Sequence, residues 1–201
     1  MKLTCFALAT VVALAACGSD EIDSNEEARR AYLGLDGSVE KSIKLGFDGF
    51  NMASSANIMP QTTAGVAAGT ITVTGQVDQG ASNNKGMRLY VAMVGYTDGD
   101  IVVDKDNNKI KVTYDTSTDV AMQPYLEMML KNFPNGTLDG TLTGDYTMSG
   151  DLKGTVTLML TFTGNTMDGG GGLVVRVPGS THVTGTATTA DNGVFMVDVT
   201  I

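Results

Sequence analysis

Between Thr137 and Thr163 the chain alternates polar and apolar residues almost without error. The even positions carry Leu138, Leu142, Tyr146, Met148, Leu152, Val156, Leu158, Leu160 and Phe162, with glycine at Gly140, Gly144, Gly150 and Gly154. The odd positions are Thr, Asp, Ser or Lys apart from Met159. A period of two with one dry and one wet face predicts antiparallel strands in a sheet that buries one side. Because the parity is the same on both sides of Ser149-Gly150-Asp151, a hairpin here needs an odd loop, and three residues suffice. That register sets Met148 against Leu152 and Leu142 against Leu158, with Thr143 and Thr157 on the wet side. Arms of this length, with glycines on the dry phase to permit coiling or close approach, suit a curled sheet or barrel.

The rest of the chain supplies more strands and two helical segments. Ser24 with Glu27 has the form of a capping box. Ala28, Ala31, Tyr32 and Leu35 follow at helical spacing, so a short helix is expected from about Asn25 to Leu33, ended by Gly34 or Gly37. Val39, Ile43, Leu45 and Phe47 then read as a first strand, and residues 51–65, with Pro60, as a loop. Ile71 to Val77, Met87 to Met93, and a hairpin of Ile101–Val103 with Ile110–Tyr114 follow. Pro124 suits the first turn of a helix. Tyr125, Leu126, Met129, Leu130 and Phe133 have helical spacing, so a second helix, from about Met122 to Asn132, is placed on the dry face. Residues 164–172 are glycine-rich and read as a mobile loop. Strands at Leu173–Val177, Val183–Thr189 and Val194–Ile201 complete the pattern. The fold class expected is mainly β: a curled antiparallel sheet, half-barrel or barrel, of about ten strands with one or two short helices.

The beginning of the chain is different in kind. Met1-Lys2 is followed by an apolar run from Leu3 to Ala16, which describes a secretory signal peptide too short to span a membrane as a mature helix. Its end, Leu14-Ala15-Ala16-Cys17, resembles the lipobox of bacterial lipoproteins. That resemblance implies cleavage before Cys17, diacylation of its sulfur, and acylation of the new amino terminus by chains such as palmitate. Two or three buried acyl chains hold a protein on a membrane where one does so only marginally. Gly18 stands after the cysteine instead of the aspartate that retains lipoproteins in the inner membrane, which favours an outer-membrane address. The expected organisation is a signal peptide at 1–16, a lipidated cysteine, acidic linker and short helix at 17–36, and a β domain at 37–201.

Composition narrows the function classes. The chain's net charge is −9, one unit more negative once Lys2 leaves with the leader. Such a surface repels nucleic acid and anionic head groups. Cys5 leaves too, and Cys17 would carry lipid, so no disulfide is expected. His182 is the only histidine, which excludes His/Cys metal clusters and Ser-His-Asp or Cys-His catalytic sets. No cofactor is expected. Asp104, Asp106, Asn108 and Asp115 have the spacing of EF-hand ligands, but Lys109 replaces the glycine that the loop needs, so a plain Asp/Asn-rich turn is the expectation. The glycines at 169–172 lack a following Lys-Ser/Thr and do not make a P-loop.

Two functions follow as expectations. The first is a non-catalytic, membrane-tethered β domain serving the envelope by structure or by contact with another envelope protein. The second is a carrier of lipid or another apolar ligand, because a lipid anchor, long coiled strands, an inserted apolar helix and abundant methionine resemble the half-barrel lipoprotein carriers of the LolA/LolB and LppX/LprG type. In that case Leu126, Met129, Leu130, Phe133, Leu142, Tyr146 and Leu158 would face the ligand. A ten-stranded outer-membrane barrel is disfavoured by the lack of aromatic girdles.

Overall fold

A computed structural model describes residues 21–201; the lipobox and Cys17 lie outside the described residues. The first element, α1 (Asn25–Met52), starts as the capping box predicts, the Ser24 hydroxyl accepting the Glu27 N–H at 3.3 Å. It does not stop at Gly34 or Gly37, and Val39, Ile43, Leu45 and Phe47 belong to it rather than to a strand. The helix tolerates its glycines because they stand where the sheet comes closest. A Cβ on Gly46 would lie 2.9 Å from the sulfur of Met87, and one on Gly49 2.9 Å from Ile58 Cβ. The lost propensity, roughly 1 kcal/mol per glycine, is offset by this close packing. Ala28, Ala31, Tyr32, Leu35, Val39, Ile43 and Leu45 supply the apolar side chains of its buried stripe.

Twelve strands follow: β1 (Asn57–Ala64), β2 (Ala68–Val77), β3 (Lys85–Thr97), β4 (Ile101–Val102), β5 (Lys109–Ile110), β6 (Val112–Asp115), β7 (Tyr125–Lys131), β8 (Gly136–Gly150), β9 (Gly154–Gly170), β10 (Leu173–Arg176), β11 (His182–Thr189) and β12 (Gly193–Thr200). Ten of them form one curled antiparallel sheet in the order β1-β2-β3-β6-β8-β9-β11-β12, with β7 bridging β3 and β8 and β10 added to β9. The pair β4-β5 is the small hairpin expected around residues 101–110. α1 lies in the hollow of the sheet, against β1, β2 and β3 toward one edge and β10 and β12 toward the other. One contiguous core results.

Four further expectations are corrected. The segment expected as a second helix is β7, preceded only by a 3-10 turn at Val120–Met122. Its apolar residues satisfy both periods, since Met128 and Met129 are adjacent, and hydrogen bonding to β3 on one side and β8 on the other decides for the strand. β1 occupies the expected loop at 51–65; it is an edge strand interrupted by a bulge between Ile58 and Gln61, where Pro60 is tolerated. The glycine-rich segment 164–172 is largely strand, with β9 running to Gly170 and β10 starting at Leu173.

The fourth correction concerns the long hairpin. Met148 pairs with Gly154, Gly144 with Leu158 and Leu142 with Leu160, two residues away from the register of a three-residue loop. β8 stays paired to Gly150 because β6 extends that far beside it, Val112 opposite Gly150. The shift is even, so every side chain keeps its face. All nine apolar residues of the alternation are buried, and Met159 is exposed.

Polar bonds fasten α1 into the hollow along its length. At its start, Asn25 Oδ1 accepts the Met196 N–H at 2.8 Å, Asn192 Nδ2 donates to Ile22 O at 3.1 Å, and Glu21 makes an isolated parallel bridge with Lys153. One turn on, the Tyr114 hydroxyl donates to Ala31 O at 2.7 Å. Midway, Arg176 of β10 holds Asp36 through two nitrogens at 2.8 and 2.9 Å and Glu40 at 2.9 Å. On the other flank Lys41 pairs with Asp98, which also accepts the Tyr96 hydroxyl at 2.6 Å. Near the C-terminus the buried Lys85 ammonium sits 4.6 Å from the Phe50 ring and donates to Gly80 O at 2.6 Å.

Candidate functional site

The hollow is where a carried ligand would have to sit. Leu126, Leu130, Leu142, Tyr146 and Leu158 all point into it, each no more than 2% exposed. Met129 does not join them, since it falls on the outward phase of β7 and is 39% exposed. Phe133, after β7, is half-buried against Phe47 of α1, ring centroids 5.3 Å apart. The five inward residues belong to the same core as the helix stripe, and the ring of Tyr146 meets that of Tyr114 edge-on at 6.3 Å. The volume that would face an apolar ligand is thus taken by α1.

The bonds holding the helix are charged and poorly hydrated. Burial of Arg176 works against its charge, but the bonds to Asp36 and Glu40 outweigh it and raise the guanidinium above its ordinary value. Burial likewise opposes ionisation of Asp98, and hydrogen bonds from Lys41, Tyr96 and the Val66 N–H outweigh it, holding the carboxyl below the usual range. The Tyr96 phenol is pushed up, first by burial and then by Asp98.

Two adjoining grooves lie on the outer, convex face. A groove of about 330 Å3 crosses β3, β7, β8 and β9, with Arg88, Glu127, Met129, Asp139, Thr141 and Thr161 among its walls. A second, of about 310 Å3, continues it past Arg88 toward the sheet edge, walled by Asn57, Gln76, Tyr90 and Tyr125. Arg88 separates the two, fixed by its 2.7 Å bond to Asp78. That bond lowers the Asp78 carboxyl and raises the arginine. Tyr90 and Tyr125 are cross-strand partners with ring centroids 5.2 Å apart at 53°. Burial, then the nearby Glu127 carboxylate, raises the Tyr125 phenol, which keeps its proton for donation.

Tyr90 was legible as an outward residue, because it falls between Leu89 and Val91 on the opposite phase of β3, whereas Tyr125 was expected on a helix over the dry face. Their juxtaposition was not legible, because it depends on Tyr125 standing in a strand. Asp104 closes a local turn, accepting the backbone N–H groups of Asp106 and Asn108 at 2.9 and 3.1 Å. Asp115 lies apart on β6 and accepts the Gly95 N–H at 2.7 Å. Among the described residues no cluster of three or more His, Cys, Asp or Glu is placed to hold a metal. His182 stands on the outer face with Nε2 2.8 Å from Asp198 Oδ1.

Against protein-family models, curated proteins and solved structures, the chain has no match in any of the three.

Proposed function

We propose that this protein is a lipid-tethered, non-catalytic β domain of the bacterial envelope that works by contact through its outer face. The observation that carries the reading is the occupancy of the hollow: α1 fills the side of the sheet that a carrier would keep open, and charged bonds at Asp36, Glu40 and Lys41 fasten it there. The tether rests on Leu14-Ala15-Ala16-Cys17. Release of α1 would have to break these part-buried ion pairs together, each at a cost of up to about 3 kcal/mol, the lower end for a fully buried pair.

Two measurements test this. The Cys17→Ala variant should leave the membrane fraction; if it is still processed after Ala16 and pellets as the parent does, the tether is wrong. Native mass spectrometry of the parent protein released from detergent should show the chain and its covalent lipid alone. A co-purified, non-covalent acyl ligand would overturn the contact reading in favour of a carrier.

A further inference from the structure

We infer that the convex face carries a binding site for a neutral polysaccharide, laid across the strands along the two grooves that meet at Arg88. This rests on the reading of the domain as one that acts by contact through its outer face, and it names the class of partner.

Cross-strand pairing puts Asn57, Gln76, Arg88, Glu127, Thr141 and Thr161 in one lateral row, one residue from each of β1, β2, β3, β7, β8 and β9. The row thus offers amide, guanidinium, carboxylate and hydroxyl groups at each step of a strand spacing, about 4.8 Å, close to the repeat of a pyranose ring in an extended chain. Beside it lies the Tyr90–Tyr125 pair, whose rings give apolar faces and whose hydroxyls are polar tips.

Sugars need this combination, because a pyranose has C–H-rich faces that pack on aromatic rings and equatorial hydroxyls that both donate and accept. Two amides already aligned, Gln76 Nε2 donating to Asn57 Oδ1 at 2.8 Å, present their remaining donor and acceptor atoms in a fixed plane. Arg88 is likewise held in place by Asp78. The sheet backbone fixes the spacing of the row before any ligand arrives, and the Gln76–Asn57 and Arg88–Asp78 bonds hold three of its side chains, which limits the ordering cost of binding.

Charge and shape select against other ligands. An anionic polymer would meet Glu127 and Asp139 in the groove, on a protein of net charge −9. An acyl chain laid in the open trough would cover Glu127, Thr141 and Thr161 and supply no hydrogen-bond partner in exchange for water.

The test is co-sedimentation of the full-length protein, in a polyoxyethylene detergent that contains no sugar, with three neutral polymers: microcrystalline cellulose, chitin and insoluble β-1,3-glucan. Retention on at least one polymer is expected, with competition by its soluble hexasaccharide. The paired change Tyr90→Ala and Tyr125→Ala should lower the retained fraction at least tenfold, and Gln76→Ala and Glu127→Gln, at exposed rim positions, several-fold each with an unchanged unfolding midpoint. Met196→Ala, elsewhere on the same face, should bind as the parent does. Retention on none of the three polymers overturns the proposal, as does retention that the Gln76 and Glu127 variants leave unaltered. Loss of polymer binding with membrane association intact would refute the glycan site and leave the tethered-domain reading untouched.

Discussion

The hydroxyl of Tyr114 occupies the point from which a side chain on Gly34 would grow: a Cβ there would lie 2.4 Å from the phenolic oxygen. The same hydroxyl donates to Ala31 O, one turn away on α1, so ring and helix are locked at a distance that only glycine permits. Gly34→Ala gains up to about 1 kcal/mol of helix propensity but overpacks a fixed contact, at about 1–3 kcal/mol. A net loss is expected, seen as a lower urea midpoint. In a Tyr114→Phe background the nearest atom would be the ring carbon at 3.3 Å, and there the alanine should become neutral or stabilising. The same loss in both backgrounds would show that the contact is not the cause.

The two faces of the long hairpin should respond oppositely to charge. Leu142 is 2% exposed, whereas Thr143, its neighbour in β8, is exposed on the convex side. Leu142→Asp buries a carboxylate without a partner and should cost several kcal/mol, at least about 3. Thr143→Asp should change stability by less than about 0.5 kcal/mol. Equal urea midpoints for the two variants would contradict the assignment of faces.

Asp98 makes stability depend on pH in the acid range. Its carboxyl is held below the usual value in the folded protein by Lys41, Tyr96 and the Val66 N–H against the opposing effect of burial. A group whose folded pKa is lowered adds stability that is fully present above its unfolded pKa, about 3.9. That stability is lost as the pH falls through the lower, folded value. Asp98→Asn should therefore cost at least about 1 kcal/mol at neutral pH, and the gap between variant and parent should close as the pH drops below about 4. A gap of constant size from pH 7 to pH 2.5 would rule out this linkage.

Arg176 should be the most sensitive of the helix fasteners. Its side chain is 10% exposed and serves both Asp36 and Glu40. Arg176→Ala leaves Asp36 partly buried with only the Tyr32 hydroxyl, 2.9 Å away, as a remaining side-chain partner. The expected loss is about 3 kcal/mol. A scan of urea midpoints in which Arg176→Ala matches an exposed control such as Lys44→Ala would refute it.

The long hairpin could be read from the sequence because a sheet with one wet face writes its burial directly into residue parity. Leu138 to Phe162 needed no partner strand to be assigned. The turn register was beyond that logic: parity fixes faces but not an even slip, and the choice was made by β6, whose pairing to Gly150 holds β8 to its end. The sequence predicts a shorter α1 because Gly34 and Gly37 carry a stop signal in isolation. Only the packing of Tyr114 against Gly34, and of Asp98 beside Gly37, reveals them as clearance. The segment at 125–131 failed for a third reason, since two adjacent methionines satisfied a helical period and only hydrogen bonds from both neighbours could exclude it. Of the outer grooves, single outward residues were legible and the lateral row was not, because a row is a property of register.

If Cys17 carries the proposed tether, the meeting of the described amino-terminal residues with the β11–β12 turn sets which way up the domain stands. Under the proposed tether, the stretch from Cys17 to Glu21 can reach at most about 14 Å even when fully extended. Glu21 bridges Lys153 and Ile22 accepts from Asn192, so with that tether the end of the sheet carrying the β8–β9 and β11–β12 turns would face the bilayer. From Gly150 back to Thr141 along β8 is about 30 Å at 3.3 Å per residue. The rigid sheet, rather than the linker, would then set the height at which the convex groove is held above the lipid.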